Sequence, residues 1–241
     1  MLHLRPFKLE RYFARWEFSA PYLLCSSDVE GYPMVELLAL ADEECRELWR
    51  GLKLGYTESP GLPLLRAEVA RLYESVGAEN VLMFAGAEEA IFVTLNTLLT
   101  PADHAIVTWP AYQSLYEVAR GTGASVDLLP LDEGHGWELD LDALRQQMRP
   151  ETRLIVVNFP HNPTGALVDR ECFDALVALA RDAGCWLFSD EVYRGLEYDQ
   201  ALRLPAAVDL YERAISLGVM SKTFALAGLR IGWIATRDAE S

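Results

Sequence analysis

Long apolar runs are missing from this chain. No stretch reaches the roughly 18 to 20 consecutive apolar residues of a membrane-spanning helix, so neither a transmembrane segment nor a membrane partner is expected. The opening residues, Met1-Leu2-His3-Leu4-Arg5-Pro6, hold no apolar core of a secretory signal, and a cytoplasmic location is expected. Cysteine is scarce. Cys25, Cys45, Cys172 and Cys185 are scattered without a Cys-x-x-Cys spacing, which favours reduced packing residues over disulfides or metal ligands. His3, His104, His135 and His161 lack metal-ligand spacing too, so no metal is expected. Positive charge is in deficit. Lys and Arg number 21 against 36 Asp and Glu, a net charge of −15, which argues against nucleic acid as a partner.

What is present is ordinary for a globular protein: 241 residues, 51% hydrophobic and 24% charged, enough for one large domain or one and a half. Residues 1 to about 40 read as irregular, with a short amphipathic helix over 11–18 and a loop holding Pro21, Gly31 and Pro33. This segment is too short to fold alone and is expected to pack on something larger. A helix over 63–75 follows, with proline in its first turn and Leu65, Val69, Leu72 and Tyr73 on one stripe. From there strands and helices alternate. Strands are expected over 81–84, 105–108, 125–129, 154–157, 186–188, 215–219 and 231–235. Helices are expected over 87–99, 112–120 and 141–148, and from the Asp169 cap to Gly184. The run 154–157 is purely apolar, as suits a strand buried on both faces. The alternation predicts an α/β fold, a mostly parallel sheet covered by helices on both sides.

Polar residues that could do chemistry fall at the carboxyl ends of these strands, where open α/β sheets bind ligands. Lys222 follows an apolar strand and Ser221, an odd place for a solvated charge. Desolvation lowers an amine's pKa, and a neutral amine can form a Schiff base with an aldehyde. Phe84-Ala85-Gly86-Ala87-Glu88-Glu89 runs from strand to helix, and main-chain amides at a helix start suit a phosphate. The side chains of Glu88 and Glu89 would repel one, so only the main chain can serve. Asp190, at a buried strand end, is costly unless a cation pairs with it. Arg230 offers the planar fork that binds phosphate.

Three segments in order, Asn158-Phe159-Pro160-His161-Asn162-Pro163-Thr164-Gly165, Leu187-Phe188-Ser189-Asp190-Glu191-Val192-Tyr193, and Val219-Met220-Ser221-Lys222 continuing to Arg230-Ile231-Gly232-Trp233, resemble the class I/II aminotransferases. These are pyridoxal-phosphate enzymes of fold type I, and the resemblance runs from about Tyr56 to Trp233. It implies a three-layer α/β/α large domain around a seven-stranded, mostly parallel sheet, with pyridoxal 5'-phosphate as cofactor. It also implies roles. Lys222 holds the cofactor and acts as general base and acid. Asp190 pairs with the pyridine nitrogen, while Asn162 and Tyr193 reach the phenolic oxygen. Tyr112 stacks on the ring. Gly86, Ala87, Glu88, Ser221 and Arg230 hold the phosphate. Tyr56 reaches the phosphate of a neighbouring subunit, which makes the expected state a homodimer.

Two departures from the family pattern stand out. Many relatives carry a serine three residues before the lysine, where this chain has Val219. The wording Gly218-Val219-Met220-Ser221-Lys222 is similar to a branch that includes enzymes resembling capreomycidine synthase. The chain also stops at Ser241, where the resemblance implies a small domain bearing the arginine that grips the substrate carboxylate. Residues 1–45 are therefore expected to pack on, or belong to, a small domain that is largely missing, and 46–241 to form the large domain. The implied function is transfer of an amino group between an amino acid and a 2-oxo acid. A β-lyase, racemase, or oxidative or cyclising reaction on the same cofactor stays open, as do a non-catalytic cofactor-binding module and an inactive fragment. Conversion of the aminated cofactor back by a 2-oxo acid separates the first from the rest.

Overall fold

Apolar runs that can be covered on two sides assemble into one sheet. The computed structural model describes residues 4–238. Its strands are β1 (Val81–Phe84), β2 (His104–Trp109), β3 (Ser125–Pro130), β4 (Thr152–Asn158), β5 (Trp186–Asp190), β6 (Ala214–Val219) and β7 (Gly232–Thr236), ordered β1-β7-β6-β5-β4-β2-β3. From β3 across to β6 the pairing is parallel, and β7 is antiparallel to both its neighbours. The helices are α1 (Lys8–Trp16), α2 (Met34–Leu40), α3 (Glu43–Arg50), α4 (Pro63–Ala70), α5 (Ala87–Leu98), α6 (Gln113–Gly121), α7 (Leu141–Gln147), α8 (Arg170–Ala183) and α9 (Ala207–Leu210).

Alternate strand residues point to opposite faces, and two cores result. Leu154 and Val156 join Val107, Phe188 and Leu217 beneath α5 and α6. Ile155 and Val157 join Ile106 and Leu187 beneath α7 and α8. Burial on both faces explains why β4 and β5 read as unbroken apolar runs. The expected three-layer α/β/α arrangement is what forms.

Local signals set most boundaries. Asp169 caps α8 by accepting from the Cys172 N–H at 2.7 Å, and Gly184 ends it at φ 66°. Three readings are corrected. The helix expected to reach residue 75 stops at Ala70, because Asp209 captures the Glu74 and Ser75 N–H groups at 3.0 and 2.8 Å. Trp233 Nε1 also donates to the Tyr73 hydroxyl at 2.7 Å, turning that residue toward β7. The helix expected over 11–18 starts earlier, at Lys8, and ends at Trp16. The segment read as irregular up to residue 40 contains α2, whose run Met34-Val35-Glu36-Leu37-Leu38-Ala39-Leu40 shows too little polar alternation to reveal a period.

The architecture brings the carboxyl ends of β2, β4, β5 and β6 side by side. Asn158 is paired with Asp190, and Asp190 with Leu217, in adjacent strands. The loops after these strands therefore converge.

Candidate functional site

At this convergence lies a cavity of about 380 Å³. Asp190, Asn162, Tyr193, Tyr112, Ala87, Glu88, Ser221, Lys222 and Arg230 all line it. Gly86 stands at its edge as the residue that starts α5. Residues up to 143 positions apart in the sequence thus line one cavity. Tyr56 does not join them. It is fully exposed in a loop of the same chain.

Asp190 ends β5 and is wholly buried. Its carboxylate accepts from the Val192 N–H at 3.2 Å. Burial pushes its pKa up to about 7, with neighbouring Glu191 and Glu88 adding to the rise while the Val192 bond and Lys222 oppose it. A buried acid so raised favours a cationic partner placed in the cavity. Beside it, Glu191 accepts from the Ala207 N–H and the Ser216 hydroxyl, both at 2.8 Å, which ties the end of β5 to α9 and β6.

A hydrogen-bond chain crosses the floor. Asn158 Nδ2 donates to the Asp190 carbonyl at 2.8 Å, and Asn158 Oδ1 accepts the Asn162 N–H at 2.8 Å. Asn162 Nδ2 donates to the Tyr193 hydroxyl at 3.0 Å, which donates onward to Ser27 Oγ at 2.9 Å. His161 braces the same loop. Its Nε2 lies 2.8 Å from the Pro110 carbonyl and so carries the proton, leaving Nδ1 to accept from the Thr164 hydroxyl at 2.7 Å. This joins the loop after β4 to the one that carries Tyr112. Tyr112, where the helix was expected to begin, ends that loop instead as the cap of α6, which starts at Gln113, and packs edge-on against Phe7 at 5.1 Å. Burial raises its hydroxyl pKa, with Glu88 and Glu10 adding to the rise.

The opposite wall is a cradle. Gly86 has φ 98° and ψ 172°, a conformation almost confined to glycine, and it opens α5. A Cβ there would lie 2.7 Å from Arg230 Nη2, and one on Gly232 would lie 2.6 Å from the Gly86 carbonyl carbon. The backbone of the β1–α5 turn, the start of β7 and the guanidinium therefore meet with no room for a side chain. Arg230 itself has φ 52°, and its Nη1 donates to the Ala227 carbonyl at 3.0 Å. No carboxylate pairs with it among the described residues. Glu89 folds back to accept the Ala85 N–H of the same turn at 2.5 Å.

The Lys222 side chain is largely covered and its charge is paired. Its Nζ donates to the Asp28 carboxylate, lies 3.4 Å from Ser27 Oγ, and sits 5.8 Å from the Tyr193 ring centre. The lysine bond, before any other cause, holds Asp28 below the usual carboxylate range. Sequence reasoning missed Ser27, Asp28 and Asn158. Asn158 carried a signal, since it opens the Asn-Pro motif four residues before Asn162. Ser27 and Asp28 carried none, because nothing local links them to residues nearly 200 positions away.

These features fit pyridoxal phosphate: an unpaired arginine over a glycine-built helix start, a raised buried acid, and a lysine facing the cavity between them. Among the described residues no group of His, Cys, Asp and Glu could hold a metal ion, and no helix is long and apolar enough to cross a membrane.

The family model described as aminotransferase class I and II matches residues 24–240. Capreomycidine synthase of Streptomyces vinaceus is 36% identical over 93% of this chain and 58% of its own length. Aspartate aminotransferase of Pyrococcus horikoshii is 34% identical over 74% of this chain and 47% of its own. A solved PLP-dependent aminotransferase from Streptococcus suis is similar at a TM-score of 0.89 and 37% identity, over 97% of this chain and 62% of that one. The chain spans about half the length of the curated relatives it matches.

Proposed function

We propose, from the premise that this chain belongs to the class I and II aminotransferases, that it carries the cofactor half of an enzyme moving an amino group between an amino acid and a 2-oxo acid. Pyridoxal 5'-phosphate, the cofactor of that family, supplies an electron sink for the bond broken at the substrate α-carbon. The observation that carries the reading is Asp190, a fully buried acid at the floor of a cavity that Lys222 also faces.

Each residue then has one task. Asp190 would hold the protonated ring nitrogen, the pairing keeping its carboxylate ionised. Asn162 and Tyr193, already bonded to one another, present an N–H and an O–H to the phenolic oxygen. Tyr112 covers one face of the ring. The main-chain amides of Gly86, Ala87 and Glu88 at the start of α5, with Ser221 and Arg230, hold the phosphate. Lys222 Nζ would leave Asp28 to hold the cofactor, and would carry the proton to and from the substrate α-carbon. We place Tyr56 at the phosphate of a second copy in a homodimer, which its full exposure permits. We propose that 1–45 packs with a small domain and 46–241 forms the cofactor domain. The four free cysteines fit a cytoplasmic setting.

Borohydride treatment in the presence of pyridoxal phosphate, followed by peptide mass analysis, tests this. The expected result is the cofactor fixed on Lys222 and no fixation in Lys222→Ala. Fixation elsewhere, or none, overturns the reading.

A further inference from the structure

We propose that Asp28, with Glu10 and Glu17 lining the same cavity, selects an amino-acid substrate whose side chain carries a positive charge. The proposal rests on the reading above and adds the substrate class.

The cavity is unevenly charged. Glu10, Glu17, Asp28, Glu88 and Asp190 line it against two bases, Lys222 and Arg230. Cofactor binding commits most of these groups. Arg230 takes the phosphate and Asp190 the ring nitrogen. Glu88 accepts the Ser114 hydroxyl and is drawn toward its neutral form by burial. Lys222 Nζ would be drawn off Asp28 when it holds the cofactor. Glu17 and Asp28, with Glu10, which accepts the Tyr112 hydroxyl at 3.2 Å, are then left on the cavity wall with no lining cation paired to them.

Asp28 is the sharpest of the three. In this structure its carboxylate holds Lys222 Nζ, the amine that holding the cofactor would draw away. Once that amine is engaged, the carboxylate loses its partner beside the reacting centre, and an arriving cation can take the vacated place. A substrate's α-ammonium is a poor permanent partner, because that nitrogen itself reacts and loses its charge. A side-chain ammonium or guanidinium keeps its charge through the whole exchange. A substrate with an acidic side chain would instead meet three like charges, and like charges brought together repel. The site therefore favours basic over neutral donors, and neutral over acidic ones.

Isothermal titration of the cofactor-loaded 241-residue chain with L-arginine, L-citrulline and L-glutamate tests this, with loading read separately by borohydride fixation. Arginine and citrulline match in shape and differ in charge. The expected result is arginine binding about tenfold tighter than citrulline at low ionic strength, about 1.4 kcal/mol, with the ratio shrinking as salt is added. Asp28→Asn should bring the ratio to within about twofold, and Asp28→Glu should restore part of it. A loaded chain that binds arginine no better than citrulline, or not at all, overturns this proposal and leaves the cofactor reading standing. So does an Asp28→Asn chain that keeps the full ratio. A chain that fixes no cofactor overturns both.

Discussion

Replacing Asp190 with asparagine should stabilise the cofactor-free chain and at the same time weaken its hold on the cofactor. Burial raises the Asp190 pKa from the ordinary carboxylate value near 3.8 to about 7. An acid raised on folding is protonated in the native state while the unfolded chain is ionised. The native state then binds the extra proton, so stability falls as pH rises. The penalty is nil below the unfolded value, grows between about pH 4 and 7, and is complete above that. A rise from about 4 to about 7 sets its full size near 4 kcal/mol. Asparagine keeps the shape and removes the ionisation. Between about pH 5 and pH 8 the wild-type chain should therefore lose roughly 3 kcal/mol more than Asp190→Asn. Urea denaturation at both pH values, without cofactor, measures this. Added pyridoxal phosphate should reverse the order near pH 8, because its ring cation pairs with the carboxylate and not with the amide. Parallel pH profiles for the two proteins would refute the argument. So would equal stabilisation of both by the cofactor.

Three further outcomes are expected. Gly86→Ala forces a side chain into a glycine-only conformation and against Arg230, so it should cost about 1–3 kcal/mol and loosen the phosphate cradle; thermal denaturation with and without inorganic phosphate reads both effects. His161 has its pKa lowered by burial, so its contribution to stability is full above about pH 6.5 and is lost as pH falls through that value toward the folded-state pKa. His161→Gln should flatten that part of the profile, and His161→Ala should cost about 2 kcal/mol through two lost hydrogen bonds. Asp209→Ala frees the Glu74 and Ser75 amides and should cost about 1–2 kcal/mol, with hydrogen exchange rising first at those two residues.

Much of the fold was legible because its signals are local. The apolar run of β4 announced a strand covered on both faces, and Asp169 with Gly184 marked both ends of α8. The site residues at strand ends were legible for the same reason, since a polar residue directly after a buried strand has few innocuous places to go. Asp190, Asn162 and Lys222 all stood out on that ground. The helix after Pro63 was misread at its end because the deciding partner, Asp209, lies more than 130 residues further on. No local pattern carries that information.

The sequence alone determined the alternation of strands and helices, the two-sided burial of the sheet, and which polar residues stand at strand ends. Periodicity, capping and burial of short runs act between near neighbours, so residue order suffices for them. Only the folded chain decided that β7 enters antiparallel and lays Gly232 on Gly86, leaving Arg230 over the start of α5. It alone brought Asp28 to Lys222 across 194 positions. Such contacts depend on how packed elements direct the loops between them, and that follows from the whole set of burial demands met together.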